Sequence, residues 1–402
     1  WIVHGSRKVD DCLPLVSTTN LINNLTHMIM VCHDQEPLDP SIFPKPHSAF
    51  LIPGVPYSVL HVLGIQYSGY DRLLLLHSEQ RSPALEWFEE DGAIGVYYWS
   101  HALIAKDWFR YAEVDPKINY TFNFKHDFLV YNRAWCGTRE YRLKFAEMLV
   151  NQGIAPNCLM NFSKYDPEYY ISHVFKNKDL AIQRFDLEQH FMPNTAEASA
   201  SADYAIEDYS NCGIEVVLET LFDDSRLHLT EKIFRSIACK KPFIVAATPG
   251  SLAYIRSYGF KTFSDFIDES YDTIEDPIKR LQAIVRLMEN ISKLQTKDKQ
   301  ELWQKMHSIC QYNHARFFSP DFHNDIINEY HTNLDCAVSQ MLQYRNASYF
   351  RKLLRLKGSV TKVLNTTFKT LTLTRPHLIE FWKFIKDGKL DAKRRPNHHQ
   401  VD

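Results

Sequence analysis

The chain is 402 residues long, with 45% hydrophobic and 23% charged residues and a formal net charge of −2. That balance excludes an intrinsically disordered chain, and the length favours two domains over a single core. No run of about 18 apolar residues is present, so no membrane-spanning helix is expected.

Trp1 to His4 reads as a first strand, and the residues that follow are polar and irregular. The run His27 to Cys32 reads as a short apolar strand, ending in His33-Asp34-Gln35-Glu36-Pro37. Pro37 stops a regular continuation, and a polar cluster just past a strand end is where α/β proteins keep their chemistry. The other reading is a turn held by Asp34 through its own backbone. Residues 48–52 and 73–77 read as further buried strands. The second of these ends in His77-Ser78-Glu79-Gln80-Arg81, whose Glu79 and Arg81 either face a cleft or form a solvated turn. Ala93 to Trp99 is another strand, followed by Ser100-His101 and an aromatic-rich helix from Ala102 to Tyr111. Trp99, His101 and Trp108 could stack on a base or simply pack in the core.

Asp115 to Asn123 reads as a polar linker, which sets a domain boundary near residue 124. Phe128 to Tyr131 begins a new strand, then a loop with Arg133 and Arg139, then a helix from Glu140 to Asn151. Residues 152–210 are less legible, and their TAEASASADYA run reads as a flexible loop.

The most informative stretch is Gly213 to Gly259. Ile214 to Leu218 is an apolar strand ending at Glu219, and a polar loop leads to Thr230-Glu231-Lys232, which opens a helix. Phe243 to Ala247 is a second strand, closed by Thr248-Pro249-Gly250. In such a β-α-β unit the helix start can offer a phosphate its free N–H groups and the Lys232 ammonium. The Glu231 carboxylate could accept from sugar hydroxyls. A purely structural role is also open, since threonine is a good N-cap and glutamate suits the first turn. Lys232 in that turn opposes the helix dipole. Amphipathic helices are expected at Ile278 to Leu294, Leu302 to Tyr312 and His323 to Tyr344.

The eight cysteines show no C-x-x-C pair, and the 18 histidines show no metal-ligand spacing. The expectation is therefore reduced core cysteines, no metal and a cytoplasmic setting. Trp1 onward does not read as a signal peptide, and the missing initiator Met implies a processed or trimmed terminus. Charge is unevenly placed. Residues 345–402 carry 14 Lys+Arg against 4 Asp+Glu, so this tail is +10 and the remainder −12. Basic residues there alternate with Phe, Leu and Trp. The tail could hold DNA phosphates, lie on anionic lipid, or pack on the protein body.

The segment around Thr230-Glu231-Lys232, with the acidic loop before it and the strand and Pro-Gly turn after it, resembles the donor motif of GT-B glycosyltransferases. The likeness is greatest to the α-1,3-fucosyltransferase type. It is also similar to phage-encoded enzymes, arabinosyltransferases among them, that place a sugar on 5-hydroxymethylcytosine in DNA. The close match covers about residues 213–275, with a looser echo at 127–145. The resemblance implies an α/β GT-B fold: two Rossmann-like domains facing a cleft, at 1–124 and 125–320, then C-terminal helices crossing back and a basic tail at 321–402. It implies a metal-independent transferase with no permanently bound cofactor, acting on a nucleotide diphosphate sugar (UDP-linked, with arabinose a candidate) in the cytoplasm of a phage host. Asp34 would be the general base, with Glu36 and His33 behind it. Arg133 or Arg139, Glu219, Thr230, Glu231, Lys232, Pro249 and Gly250 would hold the donor. His101 and tail residues Arg351, Lys352, Arg355, Lys357, Lys393, Arg394 and Arg395 would meet the acceptor, double-stranded DNA, with no obligate protein partner. Two other functions stay open: a membrane-peripheral transferase acting on a glycan or lipid-linked sugar, and a non-catalytic nucleic-acid or lipid-binding protein on the same scaffold.

Overall fold

The computed structural model of the protein describes residues 2–4, 29–32, 37–38, 73–90, 93–118, 122–132, 137–163, 191–192, 202–341 and 343. Trp1–Met341 make one compact unit and Leu342–Asp402 a second. Within the first unit the protein is α/β, with two parallel sheets.

One sheet sets β1 (Ile2–His4), β2 (Ile29–Cys32), β3 (Leu73–His77) and β4 (Ala93–Tyr97) side by side in chain order. The unbroken leucine run of β3 suits a parallel strand covered on both faces, and Leu74, Leu75 and Leu76 are all buried. Helix α1 (Pro83–Glu90) joins β3 to β4, with proline at its first position, where no N–H is missed. The Ser82 hydroxyl accepts from Leu85 N at 3.3 Å and so caps that helix. Helix α2 (Ser100–Trp108) follows β4.

The other sheet contains β5 (His126–Asn132), β6 (Cys158–Ser163), β7 (Phe191–Met192), β8 (Cys212–Leu218) and β9 (Phe243–Ala246). Their order is β7-β6-β5-β8-β9, so the winding reverses between β5 and β8. Ligands of open α/β sheets bind beyond the carboxyl ends of the strands at such a reversal. Every residue of β8 is buried, including Glu215, whose carboxylate is met by Arg235, Tyr209 and Ser236. The helices here are α3 (Tyr141–Asn151), α4 (Ile206–Asn211), α5 (Glu231–Ala238), α6 (Ser251–Ser257), α7 (Pro277–Ser292) and α8 (Thr296–Phe318). A last helix occupies residues 320–341. Asp276 caps α7 by accepting from Lys279 N at 2.9 Å, and proline again takes the first position.

Trp99 joins the two sheets into one core. It leaves β4 fully buried, packs on Phe234, Tyr254, Tyr258 and Phe322, and donates from Nε1 to Leu229 O at 2.9 Å. The last helix meets the first sheet as well. Asn333 Nδ2 donates to Tyr97 O at 2.8 Å, and Tyr330 stands edge-on to Tyr98.

Some elements differ from expectation. α1, β6, β7, α4 and α6 have no counterpart in the sequence reading, α8 runs well beyond 302–312, and α2 starts two residues earlier than Ala102. The strand expected at 48–52 lies outside the described residues.

Gly213, in β8, shows how tightly the second sheet is packed. A Cβ there would sit 2.5 Å from the Trp303 indole of α8. Gly213→Ala should therefore overpack the core and cost about 1–3 kcal/mol, read as a lowered melting temperature, whereas Gly153→Ala has open space to fill but a strained φ of 69°.

Candidate functional site

At the reversal of the second sheet, the strand ends are held from α3. Tyr141 OH donates to Glu219 O at 2.7 Å. Arg142 donates to Leu218 O at 2.8 Å, Glu219 O at 2.9 Å and Asn132 Oδ1 at 3.2 Å. Orphan carbonyls at the end of a buried strand need donors, and this pair of side chains supplies them. Burial lowers the Arg142 guanidinium from its ordinary range, with Tyr141 opposing. Arg142 has no place in the sequence reading. Its signal was a basic residue on the apolar face formed by Tyr141 and Phe145, where a charge needs a fixed acceptor.

The loop from β8 to α5 crosses to the end of β3. Gln80 and Leu227 exchange backbone hydrogen bonds at 2.9 Å in both directions, an antiparallel bridge between otherwise parallel sheets. Beside it, Arg226 donates to Leu38 O at 2.7 Å, to Glu79 Oε1 at 3.2 Å and to both oxygens of Asp224. Glu79 also accepts from Leu38 N and Ser82 Oγ. Burial pushes Glu79 up from its ordinary 4.5, against the Arg226 guanidinium, which lowers it. Glu79 is thus an interior carboxylate, unlike the solvated turn that was one of its two sequence readings. Arg81 adopts a positive φ of 53° and donates to Pro249 O at 2.5 Å. Gly250 has φ +84°, which glycine takes without strain, and its N–H donates to Asp272 O at 2.8 Å.

Between these contacts lies a buried polar cluster. Thr230 stands at the N-cap position of α5 but does not cap it. Its hydroxyl donates to Glu219 Oε2 at 2.7 Å, and its N–H faces the same carboxylate at 3.2 and 3.3 Å. Glu219 therefore fixes the entry to α5 from the interior. Lys232 Nζ donates to Thr230 Oγ1 at 2.9 Å and Glu231 Oε1 at 3.1 Å, with its side chain 24% exposed. Glu231 Oε2 lies 3.2 Å from His101 Nδ1. The His101 ring stands edge-on to His228 at 5.0 Å, and His228 Nδ1 is 3.4 Å from Ser78 Oγ. Both imidazoles are buried.

These surroundings set the charges. Burial acts to raise Glu231, but Lys232 and His101 outweigh it and hold the carboxyl well below 4.5. Burial, then the neighbouring His101 and Arg226, holds His228 well below 6.5, so it is neutral. A neutral His228 and an ionised Glu231 give a cluster that can bind hydroxyls and move a proton.

The structure brings His101, Glu219, Thr230, Glu231 and Lys232 together, with Pro249 and Gly250 on the Arg81 side of the same inter-sheet face. Arg139 is buried in the turn before α3. His33, Asp34, Glu36 and Arg133 lie outside the described residues, as do Arg351, Lys352, Arg355, Lys357, Lys393, Arg394 and Arg395. His228 and Arg226 escaped the sequence reading because a loop histidine and arginine carry no periodic signal.

Among the described residues, no group of three or more His, Cys, Asp or Glu side chains is set to hold a metal ion. Cys158, Cys212, Cys239 and Cys310 are free and buried, and Cys336 is free and exposed. No described helix is long and apolar enough to cross a membrane. No protein-family model matches the chain, and a comparison with curated proteins also finds no match.

The His228 environment fixes a pH dependence. Below its ordinary 6.5 the unfolded chain binds a proton that the folded chain refuses, so stability is full above that value and falls as pH drops below it. Between about pH 7 and 5 the wild type should lose melting temperature faster than His228→Gln. Parallel slopes would mean that another group dominates this window.

Proposed function

We propose that this protein is a glycosyltransferase that moves a sugar from a nucleotide diphosphate sugar to a hydroxyl, with its two parallel sheets acting as the two halves of a GT-B fold. The observation that carries this reading is Lys232. It is a partly exposed ammonium in the first turn of α5, at the carboxyl end of β8, where dipole and amide N–H groups also favour an anion. Thr230 leaves that helix end without a side-chain cap.

In this reading Lys232 takes the leaving pyrophosphate as charge develops on it, and water is excluded where the sheets meet. A lysine turning to phosphate gives up its contacts with Thr230 and Glu231. Arg133 or Arg139 adds a second cation, and Pro249 and Gly250 line the donor. Asp34, past the end of β2, is the sequence candidate for the proton acceptor. The acceptor we favour is 5-hydroxymethylcytosine in duplex DNA, with its base flipped out of the stack and the +10 tail on phosphate. This choice of acceptor and of a UDP-linked donor rests on the sequence resemblance and the charge of the tail.

Intact-mass measurement of duplex DNA containing 5-hydroxymethylcytosine, incubated with the protein and a panel of nucleotide sugars, tests the proposal. A pentose or hexose gain, absent with unmodified cytosine, is the expected outcome. Donor hydrolysis without DNA gain would move the acceptor to glycans or lipid-linked sugars. Lys232→Ala should lower transfer by ~10²–10³-fold while DNA binding through the tail persists; full-rate transfer would remove Lys232 from the donor site. Deleting residues 345–402 should weaken DNA binding in a salt-dependent way, seen as a flatter dependence of log affinity on log salt in the truncated chain.

A further inference from the structure

We propose that His101, oriented by Glu231, is the group that receives the acceptor's proton, and that Lys232 ties this step to the donor. The inference rests on the transferase reading above and assigns to that site a base drawn from the described residues.

The geometry sets a carboxylate beside a buried imidazole. Glu231 Oε2 lies 3.2 Å from His101 Nδ1, and among the described residues neither ring nitrogen has a hydrogen-bond partner although the residue is only 3% exposed. A buried imidazole nitrogen without a partner loses the free energy of a hydrogen bond, which a substrate hydroxyl would restore. A carboxylate on Nδ1 fixes the tautomer that leaves Nε2 free to accept a proton, and stabilises the imidazolium that results.

The neighbours favour this ring over the other. His228 carries Arg226 close by, and its Nδ1 is within reach of Ser78 Oγ, with no ion pair to a carboxylate among the described residues. His101 is faced by Glu231 of α5 and by the neutral His228 from the preceding loop, with Lys232 on the other oxygen of Glu231. Among these, Glu231 alone stabilises a proton on the ring. Lys232 competes for the same carboxylate through the 3.1 Å contact to Oε1. When Lys232 turns to a pyrophosphate, the full negative charge of Glu231 falls on His101, so donor binding makes the ring a better base.

The step balances. The acceptor oxygen forms a bond to the anomeric carbon as its proton passes to His101 Nε2. The bond from that carbon to the pyrophosphate oxygen breaks, its electron pair leaving with the phosphate that Lys232 neutralises.

The experiment uses the full chain, UDP-linked pentose and hexose donors, and duplex 5-hydroxymethylcytosine DNA, with hydrolysis to water as a second acceptor. His101→Gln should keep donor binding and lower kcat by ~10²–10⁴-fold. In His101→Ala, added imidazole should restore part of kcat. Glu231→Gln should lower kcat and move the rising limb of the pH–rate profile to lower pH, because the ring loses its carboxylate. A His101→Gln enzyme with wild-type kcat and profile, beside a Lys232→Ala enzyme that has lost donor binding, overturns the role of His101 and leaves the transferase reading standing. If His101→Gln does not fold, Glu231→Gln decides, and an unmoved limb overturns the proposal. A wild type that neither binds nor hydrolyses any of these donors overturns the transferase reading and the proton step together.

Discussion

The Arg226 guanidinium holds together the face on which everything else depends. It is buried, and it spans the backbone of Leu38, the Glu79 carboxylate at the end of the first sheet and Asp224 of its own loop. Breaking a buried ion pair by removing one partner costs about 3–5 kcal/mol, since the other charge is left stranded. The antiparallel Gln80–Leu227 bridge runs alongside it, and Arg81 reaches the Pro249 carbonyl nearby. These contacts, with Trp99 Nε1 on Leu229 O and Glu219 on Thr230, set the path of the loop from β8 that brings Glu231 to His101.

A second layer supports the first. Glu219 uses its backbone carbonyl to receive Tyr141 and Arg142 and its carboxylate to receive Thr230. One residue thus anchors both the reversal of the sheet and the start of α5. Trp99 does the apolar counterpart of this work, carrying the first sheet's core into the aromatic group of Phe234, Tyr254, Tyr258 and Phe322. Polar and apolar links therefore converge on one face. Buried polar networks of this kind are most stable when their members are satisfied, which gives interest to the ring nitrogens of His101 and to His228 Nε2, without hydrogen-bond partners among the described residues.

The charge pattern of the cluster is graded from the interior outward. His228 is held neutral by burial, Glu231 is held ionised by its cationic neighbour, and Lys232 is the most exposed of the three. A ligand anion would meet the ammonium first. Its arrival would act on Glu231, which Lys232 touches, and through Glu231 on His101.

The sequence by itself determined the strands whose both faces are covered, since largely apolar runs such as Leu73–Leu76 and Ile214–Leu218, the latter with Glu215 inside it, have few other stable uses. It likewise determined α5 and α7, whose apolar periodicity and stop signals are local properties. It singled out Thr230-Glu231-Lys232, because a helix start after a buried strand is itself a local pattern. It did not determine β6, β7 or α4, which lie in polar, tyrosine-rich sequence and depend on neighbouring strands for their order. Nor did it tell a solvated Glu79 from a buried one, or pair His101 with Glu231 across 130 residues of chain. Those outcomes belong to tertiary structure: burial and an opposing charge decide what a carboxylate or imidazole does, and both are set by residues that only the fold brings near.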